Sequence, residues 1–306
     1  MNYLDFLRQS AADTGSIACM GLDINIKAIP RDPKRSLTED IVFFYRTIFE
    51  EMVKQNVFPG AFKPNLGFYL DLDKPREHMY NGSDALGYTI DMLESMFPNI
   101  PIILDFKTED IAASAGNYAS VIYNRWRARA GTAGLYPGKD SAMEFAKYCD
   151  EAGGRGVYFL CRTSNPSAGN FQSFTNADGL SLYLEVADKV MEWSQSPPGY
   201  PGAGIVIGTT AEYLNELTNI TKRVKQAKRS LPVLIPGVGT QGGPAPEIIA
   251  KLEDAGYDLD LVRINSSSGL THPWKTVDKI PADWQKVCVA NLFKLNQEIG
   301  YKTSYG

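Results

Sequence analysis

Short apolar runs alternate with helical patterns along the whole chain, and this alternation restricts the possible fold more than any other feature. The runs predict strands near residues 17–23, 59–64, 101–105, 131–136, 156–161, 203–207, 232–236 and 260–265. Helical patterns follow them at 38–55, 84–96, 110–128, 140–152, 179–194, 211–228, 244–255 and 281–299. Successive strand–helix units build a parallel sheet, and eight of them close a (β/α)8 TIM barrel. We therefore predict an α/β fold in which residues 1–306 form a single barrel domain.

The composition of the predicted strands indicates that both faces of the sheet are covered. Val157-Tyr158-Phe159-Leu160 is a continuous apolar run and not an alternation of polar and apolar residues. Such runs are typical of parallel strands that are buried on both sides. The first long helix is expected to have Thr38 as its N-cap, because two acidic residues follow it in the predicted first turn.

Charge and hydropathy exclude several classes of function. The net charge is −4 and no long basic run is present, which argues against a surface for nucleic acid or for an anionic membrane. The first eight residues lack the basic start and apolar stretch of a signal peptide. No apolar run approaches the roughly 18 residues that span a bilayer. We therefore expect a cytoplasmic protein that binds neither nucleic acid nor membrane.

Cysteine and histidine usage narrows the chemistry further. The four cysteines are scattered and form no CxxC pair, as expected of reduced and mostly buried thiols. His78 and His272 are the only histidines. A histidine-rich metal site or a Ser-His-Asp hydrolase is therefore not expected.

Segments that are polar or rich in glycine follow the predicted strands. In (β/α)8 barrels the active site lies where the strands end, so these residues are the first candidates for function. They are Asp23, Lys63, Asp105 with Lys107, Tyr136-Pro137, residues 162–165, Gly208-Thr209, residues 237–243 and residues 265–269.

The charged segment 105–110, Asp-Phe-Lys-Thr-Glu-Asp, is the most informative of these candidates. Asp105 and Lys107 are two residues apart, so both side chains face the same side if the strand geometry continues. Thr108 is expected to cap the next helix, and the two acids after it would then complement the dipole of its first turn. Together with Lys63 at another strand end, the array suits chemistry that forms a carbanion and then protonates it.

The segment 236–243, Pro-Gly-Val-Gly-Thr-Gln-Gly-Gly, lies between the seventh strand and a helix. Glycines let backbone N–H groups approach an anion closely, and the start of a helix adds positive potential. Loops after strands seven and eight are the usual phosphate site of this barrel. We favour a phosphate site here over the alternative of a tight turn that only connects strand and helix.

These motifs resemble the orotidine 5′-phosphate decarboxylase family in its longer bacterial-type form. The resemblance runs from about Gly21 to Gly269, and its segments occur in the family's order. They are Gly21-Leu22-Asp23, Phe62-Lys63-Pro64-Asn65, the segment from Asp105 to Ile111, Thr163-Ser164-Asn165 and residues 236–243. The spaced Asp-x-Lys-x-x-Asp-Ile is the specific motif, whereas the glycine-rich loop alone would be weak.

The resemblance implies decarboxylation of a nucleotide, orotidine 5′-monophosphate, to UMP in de novo pyrimidine synthesis, with neither cofactor nor metal. The implied catalytic residues are Lys63, Asp105, Lys107 and Asp110. The implied substrate-binding residues are Asp23, Ser114, Ser164, Gln241, Gly242 and Gly243. Lys107 would protonate C6 after CO2 leaves. Asp110 would reach into the neighbouring subunit's site, so the active form would be a homodimer with shared active sites.

Two residues change the charge of the family's pattern. Ser268 stands where the family has an arginine that grips the phosphate, and Glu109 stands where related sequences often have glycine. A serine hydroxyl does not replace a bidentate guanidinium. Arg263, His272 or Lys275 would be near enough in sequence to supply the missing charge, although each of them is also explained as a structural or solvated side chain.

Three alternatives to the leading interpretation stay open. Ser268 is the reason to consider a relative that decarboxylates an unphosphorylated or otherwise different pyrimidine nucleoside. A catalytically weak nucleotide-binding protein is a second alternative, although binding alone does not need the lysine–aspartate array. A metal-dependent sugar-phosphate decarboxylase on the same barrel is the third, and the sequence offers no clear set of metal-binding carboxylates for it.

Overall fold

The computed structural model describes residues 1–150, 152–195, 199–209, 214–238 and 245–302. Its eight strands are parallel and are hydrogen-bonded in the order β2-β1-β8-β7-β6-β5-β4-β3. The strands are β1 (Ala18–Gly21), β2 (Ala61–Lys63), β3 (Ile103–Thr108), β4 (Ala130–Ala133), β5 (Gly156–Arg162), β6 (Ala203–Ile207), β7 (Val233–Ile235) and β8 (Val262–Ser266). Isolated parallel bridges at Phe62–Ile102 and Asn65–Asp105 join β2 to β3. The predicted (β/α)8 barrel is confirmed.

Most of the helices lie between successive strands and pack against the outside of the sheet, while one precedes β1 and two follow β8. They are α1 (Tyr3–Thr14), α2 (Leu37–Gln55), α3 (Leu66–Leu70), α4 (Asn81–Met96), α5 (Ala112–Ser120), α6 (Lys139–Ala146), α7 (Gly169–Gln172), α8 (Leu182–Ser194), α9 (Leu214–Gln226), α10 (Ala245–Asp254), α11 (Ser268–Thr271) and α12 (Trp284–Ile299). A π-helical turn, Val121–Arg125, continues α5. Within the described ranges, no helix is both long enough and apolar enough to cross a membrane.

Helix α1 was not predicted, and it covers the amino-terminal end of the barrel. Its buried face packs on interior side chains of the strands. The hydroxyl of Tyr3 lies 3.0 Å from the hydroxyl of Tyr158, and the carbonyl of Leu7 accepts a hydrogen bond of 2.6 Å from Arg263. The interior is therefore closed at this end by α1, and the open end is the one where the strands finish.

The start of α2 differs from the prediction. Ser36, and not Thr38, is the N-cap, and Ser36 and Glu39 form a reciprocal capping box. Thr38 lies inside the first turn, where its hydroxyl donates to the carbonyl of Asn81 at 3.1 Å. A serine three residues before a glutamate satisfies two free N–H groups at once, which Thr38 does not do from its position.

The segment after β3 also differs from the prediction. Thr108 is the last residue of β3 and pairs with Ala133, so it does not cap a helix. Helix α5 begins only at Ala112, and the acids Glu109 and Asp110 lie in the connection before it. The prediction of a helix over 110–128 was therefore too long at both ends. The helix predicted over 140–152 is likewise shorter and ends at Ala146.

Candidate active site

A cavity of about 730 Å3 opens at the carboxyl ends of the strands. Segments that follow β1, β2, β3, β7 and β8 line it, and this is the end of the barrel where function was expected. Four of the predicted site residues line this cavity together: Asp23, Lys63, Asp105 and Lys107. A charged cluster thus forms from three separate strand ends.

Lys63 and Asp105 form the buried part of this cluster. The Nζ atom of Lys63 lies 2.6 Å from Oδ2 of Asp105, and it lies 4.0 Å from Oδ1 of Asp23. Burial by itself would raise the pKa of Asp105, but the positive charges of Lys63 and Lys107 outweigh it and hold that pKa well below its usual range. Burial would likewise lower the pKa of Lys63, yet Asp105 and Asp23 raise it above its usual value. Both groups are therefore charged at neutral pH.

Lys107 forms the exposed part of the cluster. Its Nζ atom donates a hydrogen bond to Oδ1 of Asp105, the oxygen that Lys63 does not use. The side chain of Lys107 is 44% exposed, whereas that of Asp105 is 5% exposed. Asp105 therefore holds one ammonium group below the surface of the cavity and a second one within reach of a bound molecule.

Thr132 completes the cluster, although no motif in the sequence pointed to it. Its hydroxyl donates to Oδ1 of Asp105 at 2.9 Å and accepts hydrogen bonds from the backbone N–H groups of Phe106 at 3.0 Å and Lys107 at 2.9 Å. The signal for it was a single hydroxyl in the otherwise apolar strand Ala130–Ala133. The backbone of Lys107 is irregular, with a φ of 48°, and the strand pairing is shifted at this point. The side chains of Lys107 and Asp105 therefore meet because of this irregularity and not because of the regular strand that was predicted.

Two carbonyl-type oxygens at the cavity are buried without a hydrogen-bond partner among the described residues. They are Oδ1 of Asp23 and Oδ1 of Asn265. Buried acceptors of this kind are uncommon and suit the hydroxyl or amide donors of a ligand.

The Gly21-Leu22-Asp23 motif needs glycine at its first position, because a Cβ atom on residue 21 would lie 2.0 Å from the hydroxyl of Ser267. The glycine lets the loop after β8 approach the end of β1.

Comparison with known proteins identifies the family. A profile of the orotidine 5′-phosphate decarboxylase / HUMPS family matches residues 61–256. The chain belongs to this family. A protein of Bordetella avium named orotidine 5′-phosphate decarboxylase is 34% identical over 244 residues, which cover 79% of this chain and 80% of that protein. The family membership predicted from the motifs is thus confirmed, and it places the chain among lyases.

Solved structures of this family have the same fold. The structure of Leishmania donovani OMP decarboxylase is 26% identical and superposes with a TM-score of 0.69, covering 98% of this chain and 100% of that one. The structure of Leishmania donovani UMP synthase is 27% identical with a TM-score of 0.71. The match covers 99% of this chain but only 57% of the synthase, so the chain spans little more than half of that protein.

Three residues that the family resemblance predicted do not line the cavity of this chain. The Oδ1 atom of Asp110 accepts a hydrogen bond from the N–H of Ile111 at 2.7 Å, and its carbonyl accepts one from the hydroxyl of Ser141. Ser114 is exposed on α5. Ser164 is half-buried after β5. Gly208 packs closely against it, because a Cβ atom on Gly208 would lie 2.5 Å from the backbone nitrogen of Ser164. The predicted ligands Gln241, Gly242 and Gly243 lie outside the described residues.

Ser268, which stands where the family has its phosphate-gripping arginine, lines one side of the cavity at the start of α11. His272 also lines this side, but burial lowers its pKa below the ordinary 6.5 despite the opposing effect of Asp23, so its ring is mostly neutral at pH 7. Lys275 is exposed and does not line the cavity. Lys27, in the loop after β1, is an exposed cation that does line the cavity, although no motif in the sequence pointed to it.

Arg263 does not supply charge to the cavity, so this suggestion from the sequence was wrong. The side chain is fully buried, and its guanidinium donates to the carbonyl oxygens of Leu7, Gly60, Asp260 and Val262. Arg263 and Asn265 both point into the barrel, but Arg263 lies one layer closer to the amino-terminal end. Its long side chain extends to the carbonyls at that end, away from the cavity.

The described residues contain no group of three or more histidine, cysteine, aspartate or glutamate side chains arranged to hold a metal ion. The four charged residues of the cluster are instead paired lysine to aspartate. Chemically, the arrangement presents fixed positive charge and a proton donor at the floor of an open cavity.

Proposed function

We propose that this chain decarboxylates orotidine 5′-monophosphate to UMP, as a step of de novo pyrimidine synthesis, without a cofactor or metal. Membership of the family and the name of the Bordetella avium relative support the substrate and the reaction. One observation carries the proposal. The ionised carboxylate of Asp105 holds the ammonium groups of Lys63 and Lys107 on the floor of a cavity at the carboxyl end of the barrel.

The reaction needs fixed positive charge near C6 of the pyrimidine. When the bond between C6 and the carboxylate breaks, CO2 leaves and the electron pair stays on C6, in the plane of the ring, where the π system cannot delocalise it. An ammonium group about 4 Å away stabilises such a charge by on the order of 4 kcal/mol at an effective dielectric constant near 20. Lys107 then transfers a proton to C6 and regains one from solvent. Because Asp105 fixes the ammonium group before the reaction, little reorganisation is needed.

The remaining residues are proposed to bind and orient the substrate. Asp105 faces the substrate carboxylate, and Lys63 contacts the ribose and orients the charged cluster. Asp23 binds the ribose, Ser164 the pyrimidine, and Ser114 the ribose or the pyrimidine. In the loop after β7, Gln241 bridges the pyrimidine and the phosphate, with Gly242 and Gly243 beside the phosphate.

Asp110 is proposed to act in the other subunit of a homodimer. It lies in the connection before α5 and does not line the cavity of its own chain. An aspartate that belongs to the motif but does not line its own site is what a shared active site requires. The site of each subunit is then complete only in the dimer.

A second candidate function is the decarboxylation of an unphosphorylated pyrimidine nucleoside. The observation that favours it is Ser268, together with a mostly neutral His272 on the same side of the cavity. Without the family's arginine, this side has less positive charge for a phosphate. The Lys63–Asp105–Lys107 cluster would perform the same chemistry on either substrate.

The deciding experiment is a direct assay with two substrates. Purified protein is incubated with orotidine 5′-monophosphate and, separately, with orotidine, and loss of the orotate absorbance is followed with and without EDTA. The proposal expects faster turnover of the phosphorylated substrate and no effect of EDTA. Preference for orotidine would support the second candidate. Activity abolished by EDTA and restored by a divalent ion would reject the metal-independent mechanism.

A further inference from the structure

The hydroxyl of Thr132 uses its full hydrogen-bonding capacity inside the charged cluster. A hydroxyl has one hydrogen to donate and two lone pairs to accept with. Both lone pairs are taken by the backbone N–H groups of Phe106 and Lys107, at 3.0 and 2.9 Å. The one hydrogen is therefore directed to Oδ1 of Asp105 at 2.9 Å. Thr132 is fully buried, so water does not compete for these bonds.

The same hydroxyl lies opposite an irregular stretch of β3. Leu104 pairs with Gly131 and Thr108 pairs with Ala133, so three residues of β3 face the single residue Thr132 of β4. Regular parallel pairing is interrupted here, and the side chain of Thr132 accepts hydrogen bonds from the N–H groups of Phe106 and Lys107 in place of backbone carbonyls. The strand can bulge at this point without leaving buried donors unsatisfied.

The bulge places Lys107 in an unfavourable backbone conformation. Its φ of 48° lies in the left-handed region, which residues other than glycine seldom adopt. Such a conformation persists where the surrounding contacts fix it, and it is frequent at functional sites. In this conformation the side chain of Lys107 turns back to Asp105, so that its Nζ atom and the hydroxyl of Thr132 share the same carboxylate oxygen.

We propose that Thr132 is a positioning residue for the reaction: its hydroxyl holds the bulge of β3 and the carboxylate of Asp105 so that the Lys107 ammonium group points into the cavity. This inference rests on the proposed function, because the position of Lys107 matters for the reaction only if Lys107 delivers the proton. Thr132 itself does not line the cavity and is not expected to touch the substrate.

The test compares two substitutions, one that removes the hydroxyl and one that keeps it. Thr132→Val keeps the branched shape but removes every hydrogen bond of the side chain, whereas Thr132→Ser keeps the hydroxyl. We expect Thr132→Val to lower kcat by roughly 10- to 100-fold, from the loss of buried hydrogen bonds to a charged group, with KM and UMP binding changed less than about threefold. Thr132→Ser should stay within about fivefold of the wild-type kcat.

Thr89→Val is the matched control. Thr89 is equally buried, but its hydroxyl donates only to the carbonyl of Ala85 within α4. This variant loses a buried hydroxyl without touching the cluster, and its kcat should stay near the wild-type value. Equal losses of kcat in Thr89→Val and Thr132→Val, or a Thr132→Val enzyme with wild-type kcat, would overturn the positioning role.

A crystal structure of Thr132→Val separates this inference from the proposed function. We expect Lys107 to leave the left-handed region and its Nζ atom to lose contact with Asp105, whatever the substrate proves to be. An unchanged Lys107 would reject the inference even if the wild-type protein decarboxylates orotidine 5′-monophosphate. A displaced Lys107 in a protein without that activity would reject only the proposed function.

Discussion

The Nζ atom of Lys63 and Oδ2 of Asp105 are 2.6 Å apart, and both side chains are at most 5% exposed. Removal of one partner from such a buried ion pair strongly destabilises the folded state, because the remaining charge stays buried without compensation. The same pair supports Lys107, which uses the second oxygen of Asp105. Stability and the geometry of the proposed proton donor therefore depend on one carboxylate.

Replacement of Lys63 by methionine is expected to destabilise the protein by about 3 kcal/mol at pH 7, since Asp105 then keeps a buried charge with one cation fewer. The double variant Lys63→Met/Asp105→Asn has no unpaired buried charge from this pair and should recover part of the loss. Urea unfolding measures both. A single variant as stable as the wild type would contradict the assigned ion pair.

The stabilisation from this pair should depend on pH in a defined way. The pKa of Asp105 is lowered in the folded state, so its contribution is complete above its usual value near 4 and is lost as pH falls below it. The pKa of Lys63 is raised, so its contribution is complete below its usual value near 10.4 and is lost as pH rises through the folded value. The difference in unfolding free energy between the wild type and the double variant should be constant from about pH 5 to 9 and smaller at pH 3. A slope between pH 5 and 9 would mean that another group titrates with the pair.

Lys107→Ala is expected to remove most of the activity while the fold survives. General acid catalysis typically contributes about 10²- to 10⁴-fold, and the loss of the nearest cation adds to it, so kcat should fall at least 10²-fold. The side chain is 44% exposed, so the midpoint of urea unfolding should change little. Lys294→Ala, on the exposed face of α12, is the control. Near-normal turnover of Lys107→Ala would show that the proton comes from another group.

Mixing of two inactive variants tests the shared site. Lys107→Ala and Asp110→Ala subunits, combined in a heterodimer, should give one site with both residues intact and one with neither. A random 1:1 mixture should then recover about a quarter of the wild-type activity, because half of the dimers are mixed and each has one working site. Verified heterodimers without recovered activity would mean that Asp110 acts within its own subunit.

Ser268→Arg tests how the phosphate is bound. A charge-assisted contact is worth roughly 1.5–3 kcal/mol, so kcat/KM for orotidine 5′-monophosphate should rise about tenfold or more, mainly through KM. The control Ser268→Ala adds no charge and should have little effect, and kcat/KM for orotidine should not rise in either variant. His272→Ala should cost little phosphate binding at pH 7, because its pKa is lowered and the ring is mostly neutral. No gain from Ser268→Arg would point to another cation, and Lys27→Ala would then be the next variant to measure.

The sequence predicted the barrel because short apolar runs alternate with helical patterns eight times, and that pattern does not depend on distant residues. The proximity of Lys63 and Asp105 was predicted for a similar reason, since the parallel strands of a barrel end on one face. The position of Lys107 was only half predicted. Its approach to Asp105 was expected from a regular strand, but it depends on a bulge that Thr132 supports from another strand. A contact between residues 25 positions apart leaves no local periodicity to detect.

Arg263 illustrates a second limit of the sequence. It was considered because it lies two residues before Asn265 in the same strand, but the height of a side chain along the barrel axis is set by the packing of all eight strands. Helix α1 also supplies one of the carbonyl groups that Arg263 binds, and α1 was absent from the prediction. The carbonyls that hold the guanidinium were therefore not foreseeable.

The hydrogen bond between Arg263 and Leu7 has a consequence for the order in which the chain folds. The two residues are 256 positions apart, so the amino-terminal end of the barrel cannot close until most of the chain has been synthesised. Contacts of this separation form slowly, because loop-closure entropy is lost before the contact compensates for it. The bond between α1 and β8 is therefore expected to form after the contact of α1 with β5, in which the hydroxyl of Tyr3 meets that of Tyr158.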